Sequence, residues 1–252
     1  MGKSFVATGS VGGPTNGMWF GFAQILSEDP EVADSYDALF GALRLSRALA
    51  SGNSILVTSA EPGEGKTTVS SCLAITASLA GQRPLLIDGD LRRSSLAAAV
   101  GRADTVGLIE VLLGQARAAE VIHPVEATVD SLRTGVINFM AGGQKPPMFL
   151  GAVDLSKART AFRSIAQGFG MVILDSPPIL AANDALLLAS IVDAVILVVG
   201  TGNGNLDEIR RAKDRLDATG TPIIGAVLNR FEPKAHGPSD QPYRGYYRRL
   251  RP

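Results

Sequence analysis

Between an apolar run and a helical pattern the chain reads AEPGEGKTT, Ala60 to Thr68. These residue types at this spacing suit the grip of a phosphate chain. Gly63 and Gly65 allow tight turns that aim backbone N–H groups at phosphate oxygens. The backbone of Gly63, Glu64, Gly65, Lys66, Thr67 and Thr68 forms the cradle. Lys66 can reach β- and γ-phosphates, and the Thr67 hydroxyl can ligate Mg²⁺. The start of the following helix adds a positive dipole. The pattern is a P-loop with Ala60 in place of its first glycine. A Gly/Pro turn that happens to carry a lysine is the alternative, and a strand–loop–helix context decides against it.

Two acidic sites agree with that chemistry. MVILDSPP places Asp175 at the end of an apolar run, where a Walker B carboxylate orders the metal shell. LLIDGDLRR places Asp88 and Asp90 two apart at the end of another, facing one side if the chain stays extended. Paired carboxylates beside Mg²⁺ can hold water, or one can act as base towards a hydroxyl nucleophile. Taken alone, Asp175 has a loop cap as its competing reading, and the Asp88–Asp90 pair is weak evidence.

The elements that must bring these groups together follow from periodicity. SILVTS (54–59), PLLID (84–88), VINFMA (136–141), MVILD (171–175), AVILVVG (194–200) and PIIGAVLN (222–229) read as strands, VINFMA the weakest. Helical patterns occupy 32–50, 67–79 (ended by Gly81), 155–167, 183–191 and 205–218. Strands apolar on both faces and alternating with helices predict an α/β fold, P-loop NTPase-like, with a mostly parallel sheet covered by helices on both faces. Ligands of such sheets bind outside the carboxyl ends of the strands, so the P-loop, Asp88, Asp90 and Asp175 should converge there. The expected organisation is a loose, Gly-rich segment over 1–30, a P-loop domain over 31–230 and a flexible tail over 231–252.

Composition bounds the rest. The 252 residues carry 24 Lys+Arg against 24 Asp+Glu, so no strong field argues for nucleic acid or an anionic membrane. An apolar fraction of 46% is enough for a sizeable core. The single Cys72 excludes an internal disulfide, fits a reducing compartment and falls where a helix residue should be buried. No apolar run approaches the ~20 residues that span a bilayer. Nothing resembles a signal peptide, and Val6 breaks a myristoylation pattern. The expectation is a soluble cytoplasmic protein. His123 and His236 have no ligand-like spacing. The tail is the exception to charge balance, with six Lys/Arg from Arg230 onward against Glu232 and Asp240. It also holds Tyr243, Tyr246 and Tyr247 in QPYRGYYRRLRP.

PGEGKTT, LLIDGDLRR, ILDSPPIL and a terminal tyrosine cluster together resemble the bacterial tyrosine kinases, the P-loop autokinases of capsule and exopolysaccharide synthesis. Their Walker A, Walker A′ (apolar–D-x-D-x-R) and Walker B (apolar–D-x-x-P) signatures match Lys66 and Thr67, then Asp88, Asp90 and Arg92, then Asp175 and Pro178. GLIEVLLG (107–114), GGQKPP (142–147) and NDALLL (183–188) are similar to the family as well, and the resemblance spans roughly residues 35–250. It implies an ATP- and Mg²⁺-dependent protein-tyrosine autokinase. Lys66 and Thr67 would bind phosphates and metal, and Asp88 would assist or deprotonate the incoming tyrosine. Asp90 and Asp175 would order the metal, with Asp88 close enough to share its shell.

In this reading Tyr243, Tyr246 and Tyr247 are the phosphoacceptors, presented to a neighbouring subunit. A basic tail that grips a membrane or an acidic partner is the competing reading. Asn229 stands where related ATPases hydrogen-bond adenine, flanked by Arg230; both are equally a strand terminus. Arg92 and Arg93 are either surface charges or near the acceptor.

The implied partners are a membrane-embedded polysaccharide co-polymerase that supplies an activating segment, further copies of the chain, and a cognate tyrosine phosphatase. The family's E-x-x-R-x-x-R assembly pattern falls here on Asp37, Phe40 and Leu43, so its usual ring is not expected. Two other functions compete: a ParA/MinD-like ATPase switch, whose P-loop carries a lysine where Glu61 stands, and an ATP-binding regulatory module without transfer chemistry.

Overall fold

The computed structural model describes residues 17–50, 52–91, 94–103, 105–144, 153–201 and 205–230. Seven strands form one sheet: β1 (Ser54–Ser59), β2 (Pro84–Asp88), β3 (Ile122–Thr128), β4 (Thr134–Met140), β5 (Met171–Asp175), β6 (Ala194–Gly200) and β7 (Ile223–Asn229). Their order is β3-β4-β2-β5-β1-β6-β7, and all neighbours are parallel except β3 against β4. The helices are α1 (Gly17–Glu28), α2 (Pro30–Arg44), α3 (Lys66–Leu79), α4 (Ser95–Ala99), α5 (Leu108–Leu112), α6 (Ala118–Val121), α7 (Leu155–Ala166), α8 (Asp184–Ile191) and α9 (Leu206–Asp217).

Every residue of β1, β2 and β5 is buried. Their side chains alternate between two cores, as a period of two requires. Ile55, Val57, Leu86 and Ile173 face the layer of α1 to α4. Leu56, Leu85, Ile87, Val172 and Leu174 face α5, α7, α8 and α9. Both faces being covered explains why these strands read as unbroken apolar runs. The α/β reading and its mostly parallel sheet hold.

Two expectations are corrected, and one strand is added. Residues 17–28 are not loose: they form α1, whose Trp19, Phe22, Ala23 and Leu26 are buried, and the Trp19 indole donates to the Glu126 carbonyl at 2.8 Å. Tertiary packing of these large side chains outweighs Gly17 and Gly21, each worth about 1 kcal/mol against helix. The helix expected over 32–50 runs from Pro30 to Arg44, started by the Asp29 carboxylate accepting from the Glu31 and Val32 amides. β3 was not foreseen, because His123, Pro124 and Glu126 interrupt its apolar pattern; it is an edge strand, where a proline is tolerated.

Of the assembly positions, Phe40 and Leu43 are buried in the core and Asp37 is exposed. Cys72 is buried in α3, its thiol donating to the Phe22 carbonyl at 3.6 Å, and burial pushes that thiol up to about 12.

Candidate nucleotide and phosphoryl-transfer site

β1 ends at Ser59 and α3 begins at Lys66, so AEPGEGKTT is the strand-to-helix turn that a P-loop requires. Gly63 and Gly65 have φ of 82° and 93°, left-handed values that favour glycine. At Gly65 the space is also taken: a Cβ there would overlap the Asn229 side-chain amide.

The loop is braced by its own glutamate. The Glu64 carboxylate accepts from the Glu61 amide at 2.8 Å and from the Gly200 amide, at the end of β6, at 3.1 Å. The Glu64 carbonyl accepts from Asn229 Nδ2, at the end of β7, at 2.8 Å. Thus Asn229 reaches the nucleotide loop, and its amide nitrogen is committed to the loop's backbone. Arg230 lines an open recess with Ala60 to Glu64, Gly200, Thr201, Asn205, Glu208 and Ile209.

On the other side of the loop the predicted charges converge. The Thr67 hydroxyl donates to Asp175 Oδ2 at 2.7 Å, and the Ser70 hydroxyl approaches Asp175 Oδ1 at 3.1 Å. β5 lies between β1 and β2, pairing Val57 and Asp88 with Asp175, so both carboxylates emerge side by side. Gly89 makes that possible: its amide donates to the Asp175 carbonyl at 2.7 Å, and a Cβ would sit 2.5 Å from that oxygen. Asp88 is oriented by two backbone donors, the Asp90 amide at 3.1 Å and the Ala97 amide at 2.8 Å. The first of these turns the chain after β2 rather than leaving it extended, and Asp90 still faces the same charges.

Burial dominates the electrostatics. It raises the Asp88 carboxyl to about 7, assisted by the neighbouring Asp175 charge and opposed by the two amides. It raises Asp175 to about 6, against the Thr67 bond and the Lys66 charge. Burial lowers Lys66, against the attraction of Asp175, Asp90 and Glu64. Perturbed groups of opposite sign in one crevice make it the candidate functional site.

The donor set suits Mg²⁺. Among the described residues no group of three or more His, Cys, Asp or Glu forms a ready-made cage. Mg²⁺ takes one or two protein oxygens and completes its shell with phosphates and water. Thr67, Asp175 and Asp88 offer those oxygens; Thr68 lies within the loop's helix turn.

Sequence reasoning missed Ser70, four residues after Lys66 on α3, and the bracing carboxylate of Glu64. The helical spacing could have found the first; nothing local signals the second. Arg92, Arg93, Tyr243, Tyr246 and Tyr247 lie outside the described residues. Tyr36, the other tyrosine, is buried, and burial raises its hydroxyl far above the ordinary range.

The ParA family model, described as NUBPL iron-transfer P-loop NTPase, matches residues 51–236. Tyrosine-protein kinase CpsD of Streptococcus pneumoniae is 34% identical over 180 residues, 71% of this chain and 76% of that protein. Tyrosine-protein kinase YwqD of Bacillus subtilis is 31% identical over 176 residues, 70% of this chain and 71% of that protein. The solved kinase domain of the Escherichia coli tyrosine kinase ETK superposes with a TM-score of 0.64 at 28% identity, covering 79% of this chain and 75% of that one.

Proposed function

Since the chain belongs to the ParA-like P-loop NTPases and, within them, to the bacterial tyrosine-protein kinases, we propose that it uses Mg-ATP to phosphorylate its own C-terminal tyrosines, Tyr243, Tyr246 and Tyr247, in a neighbouring copy. The observation that carries this reading is the convergence of Lys66, Thr67, Asp88, Asp90 and Asp175 on one crevice.

Lys66 offsets charge on the β- and γ-phosphates, held by the amides of the Gly63–Thr68 loop. Bound Mg²⁺ neutralises further charge on the same oxygens. Thr67 and Asp175 would hold the metal, with Asp88 and Asp90 at the edge of its shell. Asp88, poised at about 7, accepts the proton of the tyrosine hydroxyl as the oxygen attacks. The new O–P bond forms as the bond to the β,γ-bridging oxygen breaks, and ADP leaves. Each phosphate then adds about −1.5 to −2 charge among Arg244, Arg248, Arg249 and Arg251, altering how the tail docks.

In this reading the kinase domain spans 31–230, with α1 packed against it, and serves capsule or exopolysaccharide synthesis. A membrane-embedded co-polymerase activates it and recruits it to the inner face of the membrane, and a cognate phosphatase resets it. No helix among the described residues is long and apolar enough to cross a membrane.

Intact mass after incubation with Mg-ATP tests the reading. Gains of single phosphates, mapped to the last ten residues and lost when Tyr243, Tyr246 and Tyr247 become Phe, are expected. Phosphate on serine, or on the tail-less remainder of the chain, would overturn the assignment of the acceptors. Release of ADP and inorganic phosphate with no mass gain would instead favour an ATPase switch, the reading that the ParA match also supports.

A further inference from the structure

Two stretches with no part in the phosphate chemistry lie against each other beside Asp88. β4 runs next to β2, with Met140 opposite Ile87, so the residues after β4 emerge where Asp88 does. There the Ala141 and Gly142 carbonyls accept from the Leu108 and Ile109 amides at 2.9 and 3.0 Å. Glu110 closes the arrangement: one carboxylate oxygen accepts from the Gly107 amide at 2.7 Å, the other from the Gln144 amide at 2.8 Å.

A glutamate that only capped α5 would need the first of these bonds. The second crosses to another segment and fixes it. The glycines are required by contact. A Cβ on Gly142 would sit 2.7 Å from the Asp88 carbonyl oxygen, and one on Gly143, at φ 94°, would overlap the Glu110 carboxylate. Glu110 therefore sets where Gly142 to Gln144 stand relative to Asp88.

The direction of phosphoryl transfer gives this segment a use. In the kinase reading the loop before α3 holds the phosphates, and the open recess beside it is lined from the β6 and β7 side by Gly200, Thr201 and Arg230. In-line displacement puts the nucleophile opposite the leaving group. The acceptor then enters over β2 and β4. We propose that Glu110 is a positioning residue for the acceptor: it holds Gly142 to Gln144 as the wall against which the tyrosine-bearing segment packs beside Asp88. The proposal rests on the kinase reading.

The full chain with Tyr243, Tyr246 and Tyr247 changed to Phe, so that its own tail is no acceptor, provides the background for the test. Binding of a fluorescent peptide QPYRGYYRRLRP is measured by anisotropy with Mg-ADP present, and Mg-ADP affinity is measured separately. Glu110→Ala should weaken peptide binding about tenfold while Mg-ADP affinity stays within about twofold, as expected for a displaced positioning element. Glu110→Gln, which keeps one acceptor oxygen, should lose less. Unchanged peptide affinity in Glu110→Ala, absence of peptide binding to the parent, or a parallel loss of peptide and Mg-ADP affinity with a lowered Tm would each overturn the proposal. Failure of the kinase reading is seen elsewhere, as a parent that binds the peptide and never phosphorylates it with Mg-ATP.

Discussion

The centre and the margin of the sheet shape the candidate nucleotide site in different ways. β1, β2 and β5 are buried along their whole length, and they deliver the P-loop, Asp88 and Asp175. β7 is an edge strand with no fully buried residue, and it delivers Asn229 and Arg230 beside an open recess. At the centre, charged groups are held against their preference for water, so their protonation is perturbed and their geometry is fixed by several bonds each. At the margin, one side-chain amide bonded to the P-loop backbone and an exposed guanidinium border an open, wet recess, where single polar contacts are worth little. Reactivity is therefore assigned to the centre and adjustable affinity to the margin.

The largest expected effect comes from Lys66. Lys66→Ala should lower phosphotransfer by about 10³-fold or more, the scale of removing an electrostatic clamp from a transferring phosphoryl group. The fold should survive, because the change removes a buried charge that burial disfavours and takes no apolar side chain from either core. Mass spectrometry after Mg-ATP incubation, with a thermal melt beside it, checks both. Undiminished phosphorylation in a folded variant would break the contrast between centre and margin.

Next is the pH response of the nucleotide-free chain. Asp88 and Asp175 have folded values of about 7 and about 6, above the unfolded 3.8. Between pH 4 and 7 the folded state thus binds more protons than the unfolded state, and stability falls as pH rises through that window. His123, lowered by burial and by Arg102, pulls the other way. In EDTA the wild type should lose on the order of 2 kcal/mol between pH 5 and pH 8. Asp88→Asn should reduce that slope and leave the Asp175 and His123 contributions in place. Melts at pH 5, 6, 7 and 8 decide it. Equal slopes in both proteins would mean that Asp88 ionises as freely as a surface carboxylate. The same variant should lose about 10²- to 10⁴-fold in rate, the range of general-base catalysis.

The same division governs what the sequence revealed. The central strands and the P-loop were legible because both faces of the strands are buried and the loop's glycines and lysine are local signals. α1 carried a readable pattern too, Trp19, Phe22, Ala23 and Leu26 at i, i+3, i+4 and i+7, and it was obscured by the glycines around it. β3 was hidden by Pro124 and by its polar outward side. The convergence of Asp88 with Asp175 followed from the rule for ligand crevices, but the turn after β2 depends on the Asp90 amide folding back onto Asp88, a contact with no signature of its own. Nor does local sequence show that Glu64 and Glu110 each tie a glycine-bearing loop to a distant element. Both bonds depend on which strand ends lie adjacent, and only the sheet order supplies that.

The smallest effect belongs to Asn229. Its amide donates to the Glu64 carbonyl and fills the space in front of Gly65. Asn229→Ala removes one neutral hydrogen bond, worth about 1 kcal/mol, and leaves the Glu64 carboxylate bonded to Glu61 and Gly200. The loop keeps two of its three ties, so Mg-ATP should bind about three- to tenfold more weakly, with a maximal rate close to wild type. Isothermal titration with Mg-ADP and a rate measured at saturating Mg-ATP separate the two. If the maximal rate collapses as it does in Lys66→Ala, the margin holds the P-loop in its reactive shape, and the division between reactive centre and adjustable edge fails at the residue that joins them.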